Sequence, residues 1–192
     1  MRYADDFVVL ARFIGEPIEQ FLEGLLEGKM GLRLNRQKTR IIDLRQKGAS
    51  LDFLGYSFRF ERNRFGKGQY LNLFPSKKAL KRRRAEVKAL TGRHSSLPIH
   101  DVVSGLNRAM LGWGRYFCMG YPSKAFSHID DYTRMRLGRF ARTRSQRPMK
   151  LPKGLSHYAW TQRLGLIRLA DPQVIRYLRG QRDFPQAYRR AG

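Results

Sequence analysis

Apolar positions recur along this chain with two different periods, and the change from one to the other divides it. Phe7 to Leu10 is an unbroken apolar, β-rich run after a polar turn. Between Glu16 and Met30, Ile18, Phe21, Leu22, Leu25 and Leu26 fall at helical intervals, with Gly28 and Gly31 closing the helix. Leu32, Leu34, Ile41, Ile42 and Leu44 supply strand material, and the aromatic and aliphatic residues of Leu51 to Phe60 suit a further strand. A basic, glycine-containing turn near Asn63 to Gly68 reverses the chain, so Tyr70 to Phe74 returns as the partner strand.

After Pro75 the period becomes helical. Ser76 is placed to cap a helix over Lys77 to Leu90, whose apolar stripe is only Leu80, Val87 and Leu90. Asp101 to Phe117 is strongly amphipathic, with Val102, Val103, Leu106, Ala109, Met110, Trp113, Tyr116 and Phe117 every three or four residues, as in the central helix of a bundle. Ser123 caps another helix that turns Phe126, Ile129, Leu137 and Phe140 inward, ahead of a basic, proline-marked stretch from Arg142 to Pro152. A last helical region over Tyr158 to Leu169 ends at Pro172, and the tail from Arg176 is expected to be partly loose. The fold class this predicts is α+β: antiparallel strands with one helix over residues 1–75, an all-α bundle over 76–172 and a basic tail over 173–192.

Charge alters the picture, because 39 Lys and Arg oppose 15 Asp and Glu, a net +24. The excess is local: residues 62–192 hold 29 of the cations and only six of the acids. That sign and density point to a polyanion, and therefore to nucleic acid. One block lies at Lys77, Lys78, Lys81, Arg82, Arg83, Arg84 and Lys88, and a second, with no acid among them, at Arg134, Arg136, Arg139, Arg142, Arg144, Arg147, Lys150 and Lys153. Phosphate contacts position a nucleic acid without reading it, so recognition would need shape or unpaired bases stacking on residues such as Tyr121 or Tyr158. Trp113, Tyr116 and Phe117 read first as core, whereas Gly112 and Gly114 each cost nearly 1 kcal/mol inside a helix and call for close packing or a backbone approach. The single cysteine, Cys118, excludes an intramolecular disulfide, and the four histidines form no zinc pattern with it. A reducing, cytoplasmic setting is expected, and no apolar run reaches the roughly 18 residues of a membrane span.

The residues that carry chemistry stand at the start. In Tyr3-Ala4-Asp5-Asp6 followed by Phe7-Val8-Val9-Leu10, adjacent acids at a strand-to-strand turn hold carboxylates together, as divalent metals in nucleotidyl transfer require. A paired Asp is also ordinary turn chemistry. After the helix come Gly31-Leu32-Arg33-Leu34-Asn35-Arg36-Gln37-Lys38-Thr39 and Phe53-Leu54-Gly55-Tyr56, then Leu106-Asn107-Arg108 and Gly112-Trp113-Gly114-Arg115-Tyr116-Phe117. In content, order and spacing these landmarks resemble the last palm motifs and the thumb, or maturase-specific, domain of group II intron reverse transcriptases, over roughly residues 1–170.

The resemblance implies the end of a reverse-transcriptase palm followed by a helical thumb. It implies that Asp5 and Asp6 are the aspartate pair that binds Mg²⁺ in a complete polymerase site, with Asp5 the closer ligand, and that Lys38 is a general acid toward pyrophosphate. Phe53, Leu54, Gly55 and Tyr56 match the primer-grip hairpin, although core packing explains the same side chains. The partners implied are group II intron RNA or an RNA/DNA hybrid, in RNA splicing and intron mobility, and a separate fragment carrying the amino-terminal part of a reverse transcriptase. The alternatives are a non-enzymatic basic RNA-binding or RNA-chaperone protein with a relic aspartate turn, or a reverse transcriptase of another bacterial lineage. The family's polymerase site also uses an aspartate from an earlier strand and nucleotide-binding fingers, and only four residues precede Asp5. A palm sheet without its first strands is expected to expose an edge and an apolar face. The purified chain is therefore expected to show no Mg²⁺-dependent nucleotide incorporation on a primed RNA template, and any primer extension above background would contradict this.

Overall fold

The structure is a computed structural model that describes residues 2–3, 6–13, 15–63, 66, 68–92, 97–143, 151 and 153–188, with only the backbone of Arg2, Tyr3 and Asp6. It comprises two compact units, Met1–Ala49 and Ser50–Gly192. The sheet expected to close the first domain at residue 75 thus lies in the second unit.

In Met1–Ala49, β1 (Arg2–Tyr3) pairs antiparallel with β2 (Asp6–Phe7) through Tyr3↔Asp6 and Arg2↔Phe7. The strand expected to run to Leu10 stops at Phe7. Helix α1 (Glu16–Glu23) begins with Pro17 in its first turn, where the missing N–H costs nothing, and Glu16 and Glu19 there complement the helix dipole. It continues as a π-helical segment, Gly24–Lys29. The strands expected from Leu32, Leu34, Ile41, Ile42 and Leu44 are absent among the described residues. Local bonds compete with a ladder here: Lys38 N donates to Asn35 O and Oδ1 at 3.0 and 3.2 Å, and Leu34 N donates to Glu27 Oε1 at 3.1 Å. Arg36 ties the same turn to Glu23 at 3.1 Å and Glu27 at 3.4 Å. No described side chain of this unit is buried, and Phe13, Phe21 and Ile41 are widely exposed.

In Ser50–Gly192, β3 (Leu51–Phe53), β4 (Tyr56–Arg62) and β5 (Gln69–Pro75) form an antiparallel meander, with the single run expected over Leu51–Phe60 broken by a turn at Leu54 and Gly55. Both turn residues have positive φ, 49° and 80°, the geometry of a two-residue hairpin. Ser76 caps α2 (Lys77–Leu90), its hydroxyl accepting from Ala79 N at 3.2 Å. Then follow α3 (Ile99–Phe117), α4 (Ser123–Thr143), α5 (His157–Arg163) and α6 (Pro172–Leu178).

Helix α3 is the axis of the core. Val102, Val103 and Leu106 pack with Val87, Leu137, Phe140 and Leu166, while Met110 and Phe117 pack with Phe126, Ile129, Leu169 and Val174. Phe126, Ile129, Leu137 and Phe140 face inward, as the sequence pattern implied. The region after α5 departs from it. Residues 173–192 were expected to form a tail, yet α6 places Val174, Ile175 and Leu178 in the core. Asp171 and Pro172 start that helix, because the Asp171 carboxylate accepts from Gln173 N at 2.9 Å and proline is tolerated at the first position. A short 3-10 turn (Gln186–Tyr188) follows, and Tyr188 donates its hydroxyl to Asp171 Oδ2 at 3.0 Å.

Glycines allow the two closest approaches. A Cβ on Gly114 would lie 2.9 Å from Leu169 and from Leu178, so this glycine serves packing of α3 against the α6 region. Gly120, at φ +68°, would drive a Cβ into the Leu73 carbonyl of β5, whereas Gly112 meets nothing within 4 Å. Gly120→Ala is therefore expected to destabilise the unit by about 1–3 kcal/mol, through both φ strain and overlap with rigid backbone. Gly112→Ala, in an exposed helix position, is expected to stabilise it by about 0.5–1 kcal/mol. Urea melts of the two variants followed by circular dichroism check the opposite signs.

Candidate nucleic-acid interface

Helix α2 builds the first cationic surface. At 3.6 residues per turn, Lys77, Lys81, Arg84 and Lys88 share one stripe of about 16 Å, and all four are exposed. Lys78 and Arg82 lie beside it, also exposed. Val87 and Thr91 turn inward and anchor the face that flanks this stripe. Arg83 departs from its expected role as a phosphate contact, because it shares that inward face and is only 4% exposed. Its Nη1 pairs with Glu86 at 2.6 Å, its Nε and Nη2 have no hydrogen-bond partner, and burial lowers its pKa against the opposing pull of Glu86. Glu86 also reaches Arg82 at 3.5 Å.

Helix α4 uses its arginines differently. Arg136 donates to Thr91 O at 3.0 Å, Thr91 Oγ1 at 3.1 Å and Lys88 O at 3.4 Å, closing the carboxyl end of α2. Arg134 pairs with Asp131 and lies over the Tyr158 ring at 5.1 Å. Arg139 and Arg142 are exposed, with Arg142 Nε on Gly138 O at 3.3 Å; Arg144 lies outside the described residues.

Two of the sequence landmarks meet. Tyr56 donates its hydroxyl to Tyr116 O, Tyr116 donates back to Leu54 O at 2.9 Å, and the Tyr56 ring stands 4.9 Å from that of Phe117. A Cβ on Gly55 would lie 3.3 Å from Phe117 Cζ, so the glycine lets the hairpin turn approach α3. Burial pushes the Tyr56 hydroxyl up to about 12, keeping it a neutral donor. Leu54 is exposed at the turn tip, while Phe53 and Tyr56 are half-buried.

The expected metal site lies only partly among the described residues. Asp5 lies outside the described residues, Asp6 opens β2, and Lys38 sits in an exposed turn of Met1–Ala49. Among the described residues no group of three or more His, Cys, Asp or Glu is placed to hold a metal ion. No helix among them is long and apolar enough to cross a membrane.

Residues 80–159 match the family model described as group II intron, maturase-specific domain. Over these residues the chain is similar to that family. The match runs from the second turn of α2 through α3 and α4 into α5, and so takes in most of the cationic stripe. Protein YkfC of Escherichia coli (strain K12) is 36% identical over 81 residues, which are 41% of this chain and 20% of that protein. The chain thus spans about a fifth of the length of the curated relative it matches.

Two side chains that tie the matched region to the segment after α5 were given no such role by the sequence. Asn107, in the Leu106-Asn107-Arg108 landmark, donates to Gly165 O at 2.8 Å and accepts from Ile167 N at 3.0 Å. Asp130 accepts from Leu169 N and Ala170 N, both at 2.9 Å. Acids within an apolar helix face are the signal that could have found it. Burial raises the Asp130 pKa to about 7, outweighing the two N–H donors that favour the carboxylate. A native pKa above the unfolded one means that folding takes up a proton between about pH 4 and pH 7, so this group's stabilisation is full below that window and is lost as pH rises through it. The stability lead of the wild type over Asp130→Asn is accordingly expected to shrink from about pH 4.5 to about pH 7, as read by urea melts at each pH; a lead that grows would show that the N–H donors dominate.

Proposed function

We propose that this chain binds group II intron RNA through the exposed cations of α2 and α4 and thereby helps the intron fold for splicing, a reaction whose transesterifications the RNA itself performs. The observation that carries the reading is the unopposed stripe Lys77, Lys81, Arg84 and Lys88 on a helix that the maturase-specific match enters at Leu80. Lysine ammonium groups on flexible stems suit a phosphate backbone whose path is set by RNA shape rather than by sequence. Arg139 and Arg142 add contacts from α4, so an RNA duplex or RNA/DNA hybrid would be held by charge along two helices.

The unit Met1–Ala49 has a separate role in this reading. Within a complete reverse transcriptase, Asp5 and Asp6 would hold Mg²⁺ and Lys38 would act on the leaving pyrophosphate, with the Phe53–Tyr56 turn beside the primer. The Tyr3↔Asp6 register supports the first of these, since it sets Asp6 at the start of β2, opposite the end of β1.

Replacing Lys77, Lys81, Arg84 and Lys88 together by Gln should lower the slope of log affinity against log salt by about 3, at about 0.7–0.9 per lost phosphate contact. Binding of the full chain to a structured intron RNA, measured by filter retention across a salt series, supplies the number. An unchanged slope in a variant with a wild-type thermal melt would sink the reading.

A further inference from the structure

The aromatic residues open to solvent in the unit Ser50–Gly192 differ in what already covers them, and the difference selects one. Tyr158 carries the Arg134 guanidinium over its ring at 5.1 Å and that of Arg168 at 5.2 Å, while its hydroxyl accepts from Arg168 Nη1 at 2.6 Å. Its π surface is occupied from within the protein. Tyr116 is tied at its hydroxyl to Leu54 and meets Phe117 edge-on at 4.7 Å. Tyr121, by contrast, is 65% exposed and among the described residues touches another ring only through a T-shaped contact with Tyr70 at 5.2 Å, which uses an edge of one ring and a face of the other.

The backbone beneath Tyr121 is held on three sides. Tyr121 N donates to Asn72 Oδ1 at 3.1 Å, and Asn72 is itself buried and donates to Glu61 Oε2 at 2.8 Å. Gly120 lies against the Leu73 backbone with no room for a side chain. Arg179 donates to Cys118 O at 2.9 Å and to Gly120 O at 2.5 Å, pinning the turn to the end of α6. An open groove runs along this turn, lined by Met119, Tyr121, Leu178, Arg179 and Gln181. Met119 is 60% exposed there.

From this we infer that Tyr121 is a preformed stacking platform for an unpaired RNA base, with Met119 extending the apolar surface and Gln181 and Arg179 at its polar border. The inference rests on the RNA-binding reading above and names what that reading lacks, a contact that distinguishes unpaired from paired RNA. Charge favours this occupant over an apolar protein segment. Arg179 lines the groove, Arg176 and Arg182 beside it in sequence are exposed, and of the acids near by Asp183 follows Arg182 while Glu61, behind Asn72, is already paired with Arg59. An aromatic ring among cations suits single-stranded nucleic acid, because every base offers a π face and every nucleotide a phosphate. A rigid platform also loses little freedom on binding, so the stacking energy is not spent on ordering the loop.

The test uses the full chain with a 12-nucleotide oligoadenylate and, separately, an RNA duplex of the same length. Tyr121→Ala should weaken binding to the single strand by about 10-fold, within the range measured for one base on one aromatic, and leave the duplex and the salt slope unchanged. Tyr121→Phe, which keeps the ring, should bind both as the wild type does. Wild-type binding of the single strand by Tyr121→Ala, or equal losses on strand and duplex, would overturn the platform. A concentration-dependent self-association that Tyr121→Ala abolishes would overturn it too, by assigning the patch to a second copy of the chain. The quadruple Gln variant of α2 separates the two proposals: if it lowers the salt slope while Tyr121→Ala changes nothing, the platform fails and the general RNA-binding reading stands. If neither variant alters binding, both fail.

Discussion

Self-repulsion is the constraint that the larger unit has to meet. From Arg62 onward 29 cations face six acids, and a compact state gathers them within distances at which like charges interact. Three of these acids serve the backbone and two pair with arginines. Asp130 receives two backbone N–H groups, Asp171 caps α6, Asp101 stands in the first turn of α3, Glu86 reaches two arginines, and Asp131 meets Arg134. Several arginines are likewise turned into structural parts. Arg136 and Arg179 put planar, multi-donor guanidinium groups onto the carbonyls that close α2 and α3, where a cation also complements the helix dipole. The lysines of α2 are left at the surface. The division follows the chemistry of the two side chains, since a fork of fixed donors can span neighbouring carbonyls and an ammonium on a four-carbon stem stays hydrated.

The helical layers are locked by polar side chains that reach the irregular segment between α5 and α6. Asn107 from α3 and Asp130 from α4 satisfy the backbone of Gly165, Ile167, Leu169 and Ala170, groups that neither helix nor sheet could pair. Their effect is to hold Leu166, Ile167 and Leu169 in the core, so a stretch with no regular structure contributes as much packing as a helix. Burying Asp130 for this purpose is costly, and the cost is visible in its raised pKa.

How much of this the sequence disclosed depended on whether the signal was local. Ser76 and the period of Leu80 and Val87 placed α2 at the bounds the structure has, because a cap and an apolar stripe are written within one helix. Most inward residues of α3 and α4 were legible for the same reason, but Tyr116, read as core from its spacing, is 53% exposed because it turns to the hairpin at Leu54. Strand material at Leu32 to Leu44 was not enough, since a strand exists only with a partner, and the Asn35 and Glu27 side chains offered that backbone nearer bonds. Helix α6 was missed because its seven residues are too short for a period to stand out, though Asp171-Pro172 announced its start. At the candidate interface, the cationic residues of α2 could be enumerated but not sorted. That Arg83 turns inward follows from its sharing a face with Val87, whereas the roles of Arg136, Arg168 and Arg179 depend on carbonyls and rings far away in sequence.

The same distant contacts determine how α2 is presented. Its amino end is fixed where Ser76 N donates to Gly55 O at 2.8 Å, and Gly55 belongs to the hairpin turn that docks on Tyr116 and Phe117. Its carboxyl end is fixed by Arg136 on Thr91, and Val87 is fully buried between. A helix held at both ends and along one side cannot roll, so its exposed faces keep one outlook. The four cations Lys77, Lys81, Arg84 and Lys88 then have backbone positions set in advance and only their own rotamers to lose in meeting phosphates, about 0.5–1.5 kcal/mol for each side chain immobilised. The interior thus bears on the surface through orientation: the hairpin turn, the end of α3 and the arginine from α4 jointly set the direction in which the charge of α2 faces.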